Sequence, residues 1–275
     1  MYLIPIFIFG ALVGSFINVL ALRYNTGETI IYGRSKCLSC NSNLRWFDLV
    51  PVLSFFFLKG RCRNCKNSIS IQYPIVEIIS GYLFLLLFVS FALDYSFTRG
   101  INLSQFFLYH IIFLTLLVIT IYDIRHKIIP NFFVYFFILL SILLLVLSFL
   151  SKSFLLSKLD LLNIFAPFLL FAFFAGLWLF SKGRWMGFGD AKLAFGIGAF
   201  LGLVYGISAI VLAFWLGTLW SLYLLVKSRI SKSKKNKINL HSEIPFAPFL
   251  ILATAIVFFT HLDIFGLNKF LNIFF

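Results

Sequence analysis

The sequence predicts an all-α polytopic membrane protein: about eight transmembrane helices, with a small cytoplasmic insert between the first and second. Three observations carry this. The 275 residues are 61% hydrophobic, with mean hydropathy +1.02, against about half in a soluble domain. The apolar residues fall into eight runs near span length, and a span needs about 20. Positive charge is concentrated in alternate connections, as the positive-inside rule requires.

The runs cover residues 2–22, 74–93, 105–122, 132–150, 161–180, 191–205, 208–226 and 246–263. The first is too long for a signal-peptide core and lacks a basic start, so a retained span is expected. Pro74, Pro130 and Pro245 stand at or beside helix starts, where proline is tolerated. Pro167 falls inside the fifth run. Residues 191–226 form one unbroken apolar stretch. As a single helix it would be about 54 Å long, against a hydrocarbon core of about 30 Å. A hairpin turning near Gly202–Gly206 is therefore expected.

With the N-terminus outside, segments 23–73, 123–131, 181–192 and 227–245 lie inside and carry 19 Lys and Arg. The outside segments carry 4: Arg99, Lys152, Lys158 and Lys269. Reading 191–226 as one span would put the basic stretch at 227–237 outside, so the charges favour the hairpin independently. The formal net charge of +14 is thereby explained by topology and contact with anionic lipid, and no nucleic-acid partner is expected. The chain divides into a first helix (1–22), a soluble insert (23–73) and a helical membrane core (74–275).

All four cysteines lie in the insert, as Cys37–Cys40 and Cys62–Cys65, with 21 residues between the pairs. Two CxxC turns at this spacing can set four thiolates around a zinc ion. A closed four-cysteine site has no open position, so the metal would be structural. A disulfide pair and a redox CxxC are the competing readings; a reducing cytoplasmic location disfavours the first, and the second would not need two copies.

Six acids need placing. Asp94, Asp160 and Asp263 stand at outer span ends, where water is in reach. Glu77 begins the second span, and its side chain can face a site or a helix terminus. Asn18, inside the first span, suits a helix–helix hydrogen bond. Asp123 and Asp190 both lie at inner span edges, in "YDIRHKIIPN" and "GFGDAK". Ionisable residues at membrane depth are functional candidates. Two adjacent carboxylates share a proton and supply an acid and a base together, the chemistry of an aspartyl protease. Gly187 and Gly189 would let a substrate strand approach the backbone. The competing reading pairs each aspartate with Arg125, Lys127 or Lys192. His126, in a basic turn, is expected to be solvated.

Taken together the segments resemble the bacterial type IV prepilin peptidases (prepilin leader peptidase/N-methyltransferase), GxGD-type intramembrane aspartyl proteases. "GSFINV" (14–19) resembles the family's first-span motif, and residues 35–77 its zinc-binding insert. "YDIRHKIIPN" (122–131) and "GFGDAK" (187–192) are similar to the segments bearing its two catalytic aspartates, and "EIPFAPFL" (243–250) to its last-span motif. The chain departs at Ala247, where a glycine is usual, and at Arg125, where a second acid is frequent.

The resemblance implies a multi-pass enzyme of the bacterial inner membrane. It would cut the basic leader of prepilins or pseudopilins after a glycine, at the cytoplasmic face. Asp123 and Asp190 would be catalytic, with Gly187, Gly189 and Lys192 shaping the site and structural zinc on Cys37, Cys40, Cys62 and Cys65. It further implies N-methylation of the new N-terminus from S-adenosylmethionine, with no residues assigned to the methyl donor. A transporter using the aspartates for protons or cations, and a membrane scaffold, are alternatives, and neither explains acids and cysteines together. A peptidase-only or methylase-only descendant is a third, to which loss of an aspartate or of the cysteines would have pointed, and neither is lost.

Overall fold

The computed structural model describes residues 2–27, 29, 35–37, 39–93, 103–151, 158–230 and 245–267. Among these residues eight helices form in this order: α1 (Leu3–Arg23), α2 (Leu53–Phe57), α3 (Gln72–Leu93), α4 (Leu103–His126), α5 (Asn131–Ser151), α6 (Lys158–Ser181), α7 (Phe188–Ile230) and α8 (Ala247–Thr260). A short 3₁₀ turn covers Trp46–Leu49. Six of the helices are long and apolar enough to cross a membrane, and α8 is a shorter apolar helix of 14 residues. The chain separates into two compact units, Met1–Val118 and Ile119–Phe275.

In the first unit α1 packs along α3. The seam is made of small residues. A Cβ on Gly14 would lie 2.9 Å from Glu77 Cα and 2.8 Å from Ser80 Cβ, so only glycine permits this approach. Backbones this close can exchange polar contacts, which have no aqueous competitor at membrane depth. Ser80 Oγ donates to Gly10 O at 2.7 Å. Asn18, fully buried, donates to Gly14 O and across to Tyr73 O, each at 3.3 Å, the interhelical bond expected of it.

In the second unit α7 packs against α5, α6 and α8. The expected hairpin is present. Gly202 takes φ 76° and ψ −174°, breaking α7 into helices 188–201 and 203–230. This backbone conformation is essentially restricted to glycine. A Cβ on Gly206 would lie 3.9 Å from Gly198 Cα, whereas eight residues along a straight helix span about 12 Å. The chain therefore doubles back. Asn163 of α6 caps the returning helix, its Oδ1 accepting from Leu203 N–H at 3.0 Å. Leaving out α2 of the insert and counting both arms of α7, eight helical segments among the described residues correspond to the eight apolar runs.

One expectation is corrected. Asp160 does not reach water: it is buried, in the first turn of α6, where the unpaired N–H groups of a helix start favour a carboxylate. Asp94, Arg99, Lys152, His241, Lys269 and most of the basic stretch at 227–237 lie outside the described residues. His126 is exposed as expected, its ring 4.4 Å from that of Tyr122.

Candidate functional site

Asp123 belongs to the last turn of α4. Its carbonyl accepts from Lys127 N–H at 2.8 Å, and Lys127 turns left-handed (φ 54°), closing the helix. Lys127 thus leaves the helix surface on which an i,i+4 partner would sit. Proline at 130 then starts α5.

Asp190 is the third residue of α7, after N-cap Gly187, Phe188 and Gly189. Its N–H donates to Gly187 O at 3.1 Å, and its carboxylate receives the Gly187 N–H. This is the acidic half of a capping box, which places the side chain back over the helix end.

Both carboxylates are buried, Asp123 at 4% and Asp190 at 7% exposure, and they lie close enough for the charge of Asp123 to act on Asp190. Asp123 receives the backbone N–H of Ala247, first residue of α8. Its Oδ2 is buried with no hydrogen-bond partner among the described residues. Sequence reading missed the Ala247 contribution. The signal was present in "PFAP", since a helix start leaves unpaired backbone N–H groups and the two prolines bracket those of Phe246 and Ala247.

The flanking residues take distinct places. Lys192 does not pair with Asp190, which lies two residues away on another face of the helix. It donates to Asn131 Oδ1 at 2.9 Å, with its Nζ 5.2 Å from the Tyr135 ring centroid. Gly187 borders Asp190, its absent Cβ 3.6 Å from Oδ2. Gly189 faces Ile129, whose Cβ would lie 3.0 Å from a Cβ at 189. The room left by Gly189 is thus taken by the chain's own α4–α5 connection.

In the first unit the four cysteines converge, their Sγ atoms all within 4.8 Å of one another. Cys37 and Cys65 are 3.9 Å apart, and tetrahedral Zn–S bonds of about 2.3 Å imply about 3.8 Å between sulfurs. The donor set fits a metal ion. Two similar knuckles build it. Cys37 N–H donates to Ser42 O at 3.0 Å and Asn41 N–H to Cys37 O at 2.9 Å. Cys62 N–H donates to Asn67 O at 2.8 Å and Lys66 N–H to Cys62 O at 3.0 Å. Asn41 and Lys66 occupy equivalent left-handed positions, φ 53° and 59°. The Asn67 amide donates to the Ser39 hydroxyl and ties the knuckles together. The Ser42 hydroxyl, 3.0 Å from Cys40 Sγ, and then the Ser42 backbone pull the Cys40 thiol down to about 6, favouring the thiolate that binds metal.

Glu77 also takes a definite place. Its Oε2 accepts from Val52 N–H at 2.7 Å, and Ser15 of α1 bonds the same carboxylate. Val52 has φ 63°, costly for a β-branched residue. Glu77 therefore clamps the start of α2 to the α1–α3 pair.

Two family models cover most of the chain: the bacterial peptidase A24 N-terminal domain over residues 8–91 and the type IV leader peptidase family over residues 110–222. The prepilin leader peptidase/N-methyltransferase of Bacillus subtilis strain 168 is 31% identical over 263 residues, 92% of each chain. The chain belongs to the type IV leader peptidase family. The like-named protein of Aeromonas salmonicida strain A449 is 24% identical over 287 residues, 92% of this chain and 89% of its own. That of Myxococcus xanthus strain DK1622 is 39% identical over 84 residues, 30% of this chain and 25% of its own. No solved structure matches the chain. As a family member this chain is a membrane-spanning enzyme, with the cysteine cluster in the first matched region and both aspartates in the second.

Proposed function

We propose that this protein is a prepilin leader peptidase that also N-methylates its product, with Asp123 and Asp190 as the catalytic pair. The observation that carries the reading is the pairing of two buried carboxylates from separate helices, each oriented by a backbone N–H, with Lys192 engaged elsewhere. Ionising both together in so dry a place is unfavourable, so one proton is shared between them. The ionised member takes a proton from water as the water oxygen attacks the scissile carbonyl carbon. The protonated member gives its proton to the carbonyl oxygen. Collapse of the tetrahedral intermediate breaks the C–N bond: the carboxyl that took the water proton gives it to the leaving amine, and a hydroxyl of the intermediate returns its proton to the other carboxylate. Buried Oδ2 of Asp123, with no hydrogen-bond partner among the described residues, is the acceptor offered to the water.

The substrate is a prepilin or pseudopilin with a basic leader ending in glycine, cut at the cytoplasmic face of the inner membrane. The excess of Lys and Arg in alternate segments supports that orientation. Zinc on Cys37, Cys40, Cys62 and Cys65 holds the insert folded and takes no part in hydrolysis. The methyl donor, S-adenosylmethionine, would supply an electrophilic methyl group to the freed α-amine; no residues are assigned to it. An ion carrier would account for the acids and leave the four-thiol cluster without a role.

The test is incubation of the purified protein with a synthetic prepilin peptide, with and without S-adenosylmethionine, read by mass spectrometry. Loss of the leader in both, and one added methyl only with the donor, supports the reading. An intact peptide in both overturns it.

A further inference from the structure

The insert turns several large apolar side chains outward. Phe57 is 83% exposed, Phe56 68% and Leu53 55%, all on α2. The insert has its own small interior, and these residues are not part of it. Phe55 packs beneath Gly60, 3.1 Å from where a Cβ would stand, and the Arg63 guanidinium lies 4.8 Å from the Phe47 ring centroid. An apolar edge left outward by a folded module marks a contact surface.

Two further observations identify the occupant. The first is position. Glu77 stands five residues into the spanning helix α3, about 8 Å from its start, and its carboxylate holds Val52 N–H, the N-cap of α2. The exposed edge of α2 is therefore tethered at the first turns of a membrane helix, the depth at which aromatic residues collect. The second is charge. Lys59, Arg61 and Lys66 follow α2 and are all exposed. Asp48, the single acid among the described residues of the insert, is taken up by Arg63 at 2.8 Å.

We propose that α2 is an interfacial anchor. Leu53, Phe56 and Phe57 seat in the headgroup region of the bilayer, and Lys59, Arg61 and Lys66 hold anionic lipid. The insert thereby lies on the membrane surface instead of projecting from it. Buried apolar area and attraction to anionic lipid are the two terms that bind such elements.

The experiment uses the full chain with Phe57→Trp, reconstituted in nanodiscs with lipids brominated near the headgroup. The emission added at position 57 should shift to the blue and fall by about half or more. The quenching should weaken when phosphatidylglycerol is replaced by phosphatidylcholine, and weaken again in Lys59→Glu. Amide exchange over residues 53–58 of the unaltered protein should be slower in nanodiscs than in detergent, which serves if the tryptophan variant misfolds. Emission unaffected by bromolipid but quenched by aqueous acrylamide would overturn the proposal. So would a blue shift that appears only when a peptide substrate is added, since the edge would then be a polypeptide-binding surface.

Discussion

Asp190 sits at the third position of α7, and that helix end accepts a carboxylate whether or not it reacts. What separates it from an ordinary cap is its neighbourhood: a second buried carboxylate within electrostatic reach, and a lysine two residues on that is bonded to Asn131. The two aspartates were legible in the sequence as candidates, because charge is scarce in so apolar a chain. Their partners were not. The Ala247 N–H reaches Asp123 from 124 residues away, and periodicity carries no trace of such an approach. Gly189 gives a sharper test at this scale. A Cβ there meets Ile129 at 3.0 Å, so Gly189→Val should cost about 1–3 kcal/mol of stability and lower peptide cleavage. Adding Ile129→Ala should restore part of both. A double-mutant cycle on melting temperature and cleavage rate checks this; strict additivity would show that the two residues do not touch.

At the scale of elements, α7 is held in shape by one residue. Length and charge both indicated a turn near Gly202–Gly206, and the break falls at Gly202. The cap from Asn163 was not legible, because it depends on which helix lies alongside. Gly202→Ala forces a side chain into a conformation that L-residues rarely hold and against the Asn163 amide. It should destabilise the protein by about 1–3 kcal/mol, seen as a lower melting temperature in detergent. The cysteine insert is the opposite case. Its four-thiol cluster was legible from spacing alone, since CxxC turns are local, while its clamp through Glu77 to Val52 was not. Cys62→Ser should reduce bound zinc, measured by elemental analysis, from about one per chain to near zero. Limited proteolysis within residues 35–70 should quicken, with the helical signal of the spans retained. Unchanged zinc in this variant would refute the four-thiol site.

At the scale of the whole molecule, the sequence is most informative about topology, because lipid constrains helix length and charge placement more strictly than water does. Alkaline phosphatase fusions should be active after residue 157 and inactive after residues 60 and 185. The reverse pattern would invert the orientation. Helix ends were less legible: α4 and α6 each extend several residues past their apolar runs, since helical hydrogen bonding continues beyond the hydrocarbon edge.

The central claim is that two aspartates from separate helices form one hydrolytic site. The most direct test compares cleavage of a synthetic prepilin by wild type, Asp123→Asn and Asp190→Asn, with circular dichroism and zinc content confirming that each variant is folded. Asparagine keeps the size and polarity but cannot exchange the proton. Each variant should lose cleavage by at least about 10²–10⁴-fold. Wild-type cleavage by either folded variant would contradict the account, making that carboxylate structural.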